Sequence, residues 1–257
     1  MVREDAFRDL AHYYDPIMEH VHYDRWFMIT TALAELFPNT FRHLDAGCGT
    51  GVLVNMLRQA GWASFGMDLS HAMVRTARRR RGSLPVAVGD LREFPFHSLD
   101  YITCLFDSIN FLLEEAEARQ AIQGFANALR PGGLLYFDIV TERMVTDFFE
   151  DQEWTEDNGR FRTTWYSVYD RKTSIAETTV RVNTGAEALI RERIYPTPFF
   201  IKAVRDSGLT LLAAVDAGSW KCPTRRTTRI DFVAVKAPER YLLHRFKGLR
   251  TQIQQLR

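Results

Sequence analysis

A doubly wound α/β fold, with a mostly parallel sheet covered by helices on both faces, is what this 257-residue sequence predicts. Three observations carry it. Between residues 41 and 140 short apolar runs alternate with amphipathic segments, the rhythm of strand, crossover helix and strand. The runs are apolar on both faces, so they read as strands buried on either side. Right-handed crossovers then leave the doubly wound arrangement as the simple way to connect them. From about residue 150 the pattern changes to near-alternating runs rich in Thr, Val, Ile and aromatics, which predicts an inserted antiparallel meander.

The elements follow in chain order. "DRWFMITTALAELF" has helical spacing and should stop at Pro38 and Asn39, so residues 1–40 are expected to form an N-terminal helical cap. The strand "FRHLD" leads to a helix over residues 52–60, with Leu53, Met56, Leu57 and Ala60 on one face and Gly61 at the C′ position. The strand "ASFGMD" leads to a helix from His71, with Ser70 as its N-cap. "VAVGD" is a third strand and runs into the irregular "LREFPFHSLD". "YITCLF" is a fourth, followed after "DSINFL" by the helix "EEAEARQAIQGFANALR", whose face is Ala118, Ala121, Ile122, Phe125 and Leu129. "PGG" then turns into the fifth strand, "LLYFDIV". "FRTTWYSVYD", "SIAETTVRVNT" and "ALIRERIYP" form a three-stranded meander inside an inserted unit, residues 150–196, expected to serve as a lid. The helix "PFFIKAVRDSG" and the strands "LTLLAAVDA" and "TRIDFVAVKA" return the chain to the main sheet, bringing it to seven strands. Residues 238–257 read as a basic terminal helix. One domain, residues 1–257, holds all of this.

Composition narrows the function. Thirty-three basic against 32 acidic residues leave a formal charge of +1, so no global field points to nucleic acid or an anionic membrane. Cys48, Cys104 and Cys222 are widely spaced, with no CxxC and no Cys/His grouping, which predicts neither disulfides nor a metal site. That usage fits a reducing cytoplasm. The N-terminus lacks the apolar core of a signal peptide, and no apolar run approaches the ~20 residues of a membrane span. A cytoplasmic, unexported protein is the expectation.

The chemistry concentrates at the strand ends, where ligands of such sheets bind. Asp45-Ala46-Gly47-Cys48-Gly49-Thr50-Gly51 has the form D-x-G-x-G-x-G. Glycine reaches positive φ cheaply and lets a ligand approach bare backbone, while the following helix offers unpaired N–H groups. A dinucleotide fingerprint would need a small third residue where Val52 stands. The second strand ends at Asp68 and the third at Asp90, so three successive strands end beside a carboxylate. An acid at the second can accept from both ribose hydroxyls, and one at the third from an adenine amino group.

On these residues the sequence resembles the class I S-adenosylmethionine-dependent methyltransferases, which have a Rossmann-like sheet, an acid-and-glycine loop after the first strand, and an acid after each of the next two. "LRPGGLLYFDI" resembles the family's segment before strand five. The resemblance implies that Gly47, Gly49 and Gly51, with Cys48 as a small filler between them, floor the methionine end of S-adenosyl-L-methionine, while Asp45 holds its amino group. Asp68 with Leu69 would hold the ribose, Asp90 with Leu91 would read the adenine, and Phe106 would lie near the cofactor. Methyl transfer needs positioning and exclusion of water, with a base only for a protonated nucleophile. Candidates are Asp107, Ser108 and Asn110 in "FDSIN", Asp138, and Tyr13, Tyr14 and Asp15 in the cap.

"HYYDPI" and the meander resemble the small-molecule branch, such as sugar N,N-dimethyltransferases and glycine N-methyltransferase. There an N-terminal Tyr lies near the cofactor's sulfur, which implies Tyr14, although Tyr13 fits the short match as well. Trp165, Tyr166 and Tyr169 could roof a substrate or pack the extra sheet. Arg162, Arg181, Arg191 and Arg193 could hold an anion or alternate with acids on an exposed face. The expected partner is a small-molecule substrate, with self-association through the inserted sheet as a further expectation and no membrane partner. Two other readings stand beside it: an RNA methyltransferase using Arg78, Arg79, Arg80, Arg81 and the basic C-terminal helix, and a non-catalytic or nicotinamide-binding Rossmann protein. His97 and His244 have no partner pattern.

Overall fold

Five parallel strands form the centre of the molecule in the computed structural model, which describes residues 5–37 and 41–256. They are β1 (Arg42–Ala46), β2 (Ala63–Asp68), β3 (Val86–Val88), β4 (Leu99–Cys104) and β5 (Leu129–Val140), in the spatial order β3-β2-β1-β4-β5. The order reverses between β1 and β4, and that switch point opens a crevice at the strands' carboxyl ends. Asp45 pairs in register with Gly66 of β2 and Thr103 of β4, so the end of β1 sits in the middle of the crevice. Every residue of β4 is buried, as expected for a strand covered on both faces.

The cap supplies α1 (Tyr14–Ile17) and α2 (Tyr23–Ala34). The expected stop at Pro38 and Asn39 lies outside the described residues. Between the strands run α3 (Val52–Gln59), α4 (His71–Arg81) and α5 (Glu115–Ala128). Gly61, at φ 88°, ends α3 in a Schellman arrangement: its N–H donates to Arg58 O and that of Trp62 to Leu57 O. Ser70 caps α4 by accepting from Met73 N. The predicted face of α5 is buried, but Leu129 already belongs to β5. β5 also begins earlier than expected. Leu99 pairs with Leu129 and Tyr101 with Leu134, so "RPGG" interrupts the ladder as an irregularity inside one strand.

After β5 comes a short helix that the sequence reading did not contain, α6 (Glu142–Phe148), capped by the Thr141 side chain. The inserted sheet is antiparallel: β6 (Gln152–Asp157), β7 (Arg162–Asp170), β8 (Ile175–Val182) and β9 (Glu187–Arg193). The three predicted strands are thus joined by a fourth. β6 has only Trp154 partly covered and pairs solely with β7, so as an edge strand it carries no apolar alternation to read. Trp165, Ser167, Ala176, Val180, Ala188 and Ile190 form the buried face.

Then α7 (Thr197–Asp206), β10 (Leu209–Asp216) and β11 (Arg229–Lys236) complete the seven-stranded sheet, with β11 antiparallel to β5. Phe232 and its cross-strand partner Phe137 stack at 4.7 Å. The terminal helix α8 (Arg240–Ile253) buries Leu242, Phe246, Leu249 and Ile253 in the core that also takes Ile29 and Leu33 of α2. Its basic residues ride on a packed helix. Among the described residues no helix is long and apolar enough to cross a membrane.

Candidate active site

The turn after β1 is built around its glycines. Gly47 has φ 79°, and a Cβ there would collide with Ser108, whose hydroxyl donates to Gly47 O and Leu105 O. Gly49, at φ 53°, has nothing within 4 Å of the corresponding point and its N–H donates to Asp68 Oδ2 at 2.7 Å. Asp68 Oδ1 accepts from Ser70 N at 2.8 Å, so the acid that ends β2 ties the glycine turn to the start of α4. Burial nonetheless pushes its carboxyl up to about 6, against those two N–H donors.

Asp45 ends a buried chain of hydrogen bonds. Thr103 donates its single O–H to Asp45 Oδ1 at 2.6 Å, so it must accept from His43 Nε2, 3.0 Å away. His43 therefore carries its proton on Nε2, and Nδ1 accepts from Ser64 at 2.8 Å. Burial holds His43 neutral by lowering it to about 3, and raises Asp45 to about 7, with the Asp68 charge adding to the rise.

Asp90 closes the row. Its carboxylate is gripped by the Arg92 guanidinium, which also reaches Glu117 at 2.9 Å, and it accepts from Arg92 N. Leu91 follows it in a short 3₁₀ turn. Leu69 is 46% exposed, a large apolar side chain at the rim of the crevice. Cys48 is buried with its thiol pushed up by that burial, and it packs against Val54, Val74 and Val86. The thiol is a space-filling group there.

After β4 the chain takes a strained course. Phe106 (φ 56°) and Asp107 (φ 55°) are consecutive left-handed residues without being glycine, a conformation that neighbours must hold in place. Asp138 does so by accepting from Asp107 N at 2.8 Å. Arg229 of β11 reaches both Asp107 (2.8 Å) and Asp138 (2.9 Å), and its guanidinium lies over the Phe106 and Trp26 rings. Asp107 is thereby an ion-pair partner. Asn110 donates to Arg193 O at 2.8 Å and accepts from Val140 N, joining the inserted sheet to the main one.

These strand ends floor a cavity of about 1120 Å³, whose opposite side includes Trp165, Ala176 and Ile190 of the inserted sheet. Tyr14 lines it; Tyr13 instead meets Thr184 and Phe161 at the edge of the meander. Two residues absent from the sequence reading also line it, Glu192 and Arg229. The sign for Glu192 was legible in principle, since a charge occupies the inward row of "ALIRER" after Ala188 and Ile190. Trp165 both packs, stacked on Trp154 at 5.6 Å, and faces the cavity. Arg162, Arg181 and Arg191 pair with Asp157, Glu187 and Glu177, while Arg193 donates to Leu113 O.

The arginine run is mostly exposed at the end of α4, yet three of its four members have partners within the protein. Arg78 donates to Val86 O, Arg80 to His12 O, and Arg81 to Thr50 O, with Arg80 and Arg81 both paired to Asp15 at 2.8 Å. Asp15 also accepts from Thr50 Oγ1. These contacts fasten α1 to the glycine turn and α4.

A doubly wound sheet with a glycine turn and a carboxylate after each of three adjacent strands defines an α/β enzyme of the nucleoside-binding kind. Residues 44–133 match the family described as "Methyltransferase domain". The chain is 27% identical over 250 residues to a protein of Geobacillus sp. (strain WCH70) named as a methyltransferase, covering 90% of this chain and all of that one. It is 33% identical over 99 residues to the dTDP-3-amino-3,6-dideoxy-alpha-D-glucopyranose N,N-dimethyltransferase of Streptomyces fradiae, covering 38% of this chain and 39% of that one. In fold it matches an S-adenosylmethionine-dependent methyltransferase from Clostridium acetobutylicum with a TM-score of 0.77, at 22% identity, over 90% of this chain and 99% of that one. Residues 44–133 thus carry the sequence of a methyltransferase domain, and most of the chain shares the fold of an S-adenosylmethionine-dependent methyltransferase.

Proposed function

We propose that the protein moves a methyl group from S-adenosyl-L-methionine to a nitrogen or oxygen of a small molecule held beneath the inserted sheet, by in-line displacement. The observation that carries this is the single cavity running from Gly49 and Asp68 to Trp165 and Ile190. It has room for a cofactor and an acceptor side by side, and ligand sites of ~300–1000 Å³ are typical for one molecule. The donor set fits. Gly49 presents bare backbone to open space, Leu69 offers an uncovered apolar face, and Asp68 keeps accepting capacity beyond its two N–H partners, since a carboxylate has about four lone-pair sites.

In this reading Asp45 takes the amino group, Asp68 the ribose hydroxyls, and Asp90 with the backbone of Leu91 the adenine edge. Cys48, Gly47 and Phe106 shape the walls, while Gly51 lies outside the lining, with Leu84 packed where its Cβ would be. Tyr14 faces the reacting end as a neutral phenol, because burial, then Tyr23 and the acids around it, raise it well above its ordinary value. The bound cofactor supplies an activated methyl group; the chain supplies position and a dry site. The likeness to an amino-sugar N,N-dimethyltransferase favours nitrogen. Three of the four arginines invoked for RNA binding have partners within the protein, which weighs against that reading.

Asp68→Ala tests the core of the proposal. Each hydrogen-bonding group left unpaired in a closed site costs about 1–3 kcal/mol. The variant should bind S-adenosylhomocysteine at least ~10-fold more weakly by calorimetry. A folded variant with unchanged affinity would put the cofactor elsewhere.

A further inference from the structure

We propose that Glu192, on the inward row of β9, accepts the proton of an amine methyl acceptor, with Asp107 as its immediate partner and Asp138 and Arg229 holding that pair in place; this rests on the methyl-transfer reading above. The row is otherwise apolar. Ala188 and Ile190 are buried against the cavity, and the next inward side chain is a carboxylate. An ionisable group in such a place is costly unless something pairs with it.

What faces Glu192 comes from three elements of the main sheet: Asp107 after β4, Asp138 on β5 and Arg229 on β11. Arg229 is shared by the other two, with Nη1 at 2.8 Å from Asp107 and 2.9 Å from Asp138. One guanidinium therefore serves three carboxylates. Glu192 Oε1 is buried and receives no hydrogen bond, while Asp107 Oδ1, also buried, is the oxygen that Arg229 reaches. A buried carboxyl oxygen without a donor is satisfied when the Glu192 carboxyl carries a proton that the neighbouring Asp107 carboxylate accepts. In agreement, burial and then the Asp107 charge push the Glu192 carboxyl well above the ordinary range, with Asp138 adding and Arg229 opposing.

A cluster short of positive charge, opening on a cavity, selects a cation. Among the described residues no group of His, Cys, Asp and Glu has the arrangement of a metal site, and an organic ammonium fits the charge. The chamber beside it adds a second criterion. Trp165 Nε1 is buried without an acceptor on the same inner face. The acceptor class is thus an amine on a largely apolar body that carries one hydrogen-bond acceptor.

Arrival of the ammonium favours the ionised pair, and the shared proton leaves to solvent. The acceptor's N–H bond then breaks, its proton forms an O–H bond on Glu192, and the electron pair stays on nitrogen as the nucleophile's lone pair. No oxidant or reductant is involved. Hydroxyl acceptors, far weaker acids, gain little from such a group.

Two measurements on Glu192→Gln test this. A buried acid whose folded value is raised weakens the fold as pH rises through that value, a cost the amide does not carry. Relative to wild type, the variant's melting temperature should rise by several degrees as pH is raised above the ordinary glutamate range; a pH-independent difference overturns the shared-proton arrangement. The second measurement uses benzylamine and benzyl alcohol as probes, with S-adenosylhomocysteine saturating. Wild type should bind the amine at least ~10-fold more tightly than the alcohol, and Glu192→Gln should erase that preference. A preference that survives in the variant, or a wild type that binds the two alike or binds neither, overturns the proposal. Failure of wild type to bind S-adenosylhomocysteine would instead overturn the parent reading.

Discussion

Asp45 and Asp68 stand side by side at the centre of the site, yet different neighbours hold them. Asp68 is fixed by two backbone N–H groups, and Asp45 by a side-chain relay that reaches back through Thr103 and His43 to Ser64. Both carboxyls are raised by burial, to about 7 and about 6, so both acquire protons just below neutrality. The sign follows directly. The folded, ligand-free protein binds extra protons between the ordinary carboxylate range and those values, and these two groups make it less stable as pH rises through that window. A ligand ammonium and ribose hydroxyls favour the ionised forms. S-adenosylhomocysteine affinity should therefore fall as pH drops through about 7 and again through about 6, with protons released on binding. Calorimetry in two buffers of unlike ionisation heat would measure that release. Thr103→Val should move the first step to higher pH, because the Thr103 hydrogen bond is what opposes burial at Asp45. It also leaves the buried His43 Nε2 proton without an acceptor, at a cost of about 1–3 kcal/mol in stability.

At the level of elements, α1 is only one turn long, and what positions Tyr14 is the latch through its neighbour Asp15. Asp15→Asn should lower global stability by about 1 kcal/mol or less, since both ion pairs are partly exposed. Limited proteolysis near residues 14–20 should nevertheless become markedly faster, and an unchanged cleavage rate would mean that packing alone holds the helix. The latch also shows where sequence reading stops. Strand ends, caps and the glycine turn were legible because each depends on residues a few positions apart: Ser70 caps Met73, and Gly61 closes the turn begun by Leu57. The ion-pair partners of Arg80, Arg81 and Arg229 lie 65 or more residues away, so "RRRR" read as a solvated helix end or a basic patch and Arg229 as nothing. Asp107 read as a candidate catalytic residue for the same reason. β6 left no trace, because an exposed edge strand needs no apolar pattern.

On the proposed reading, the whole molecule divides the two ligands between its two sheets. The parallel sheet presents the glycine turn and the three acids, and the inserted sheet closes the far side of the cavity. The two are tied by Asn110 to Arg193 O and by Arg193 to Leu113 O, so the chamber's depth is set by fixed contacts. Substitutions on the inserted sheet should consequently act on the acceptor and spare the cofactor. Trp165→Ala removes a ring that stacks on Trp154 within 2° of parallel and walls the chamber. It should cost about 3–5 kcal/mol of stability, as large-to-small changes of buried Trp do. If the variant remains folded, S-adenosylhomocysteine affinity should stay within ~2-fold of wild type while methyl transfer to benzylamine falls ~10-fold or more, mainly through KM. On the proposed reading, Tyr14→Phe should leave cofactor affinity equally unmoved and lower kcat, since the change removes a neutral hydroxyl and no hydrogen bond to Asp45 or Asp68. If Trp165→Ala weakened S-adenosylhomocysteine as much as Asp68→Ala does, the inserted sheet would be a wall of the cofactor pocket. If both changes left transfer untouched, the acceptor would have to bind outside the cavity, and the basic face of α8 would become the surface to probe next.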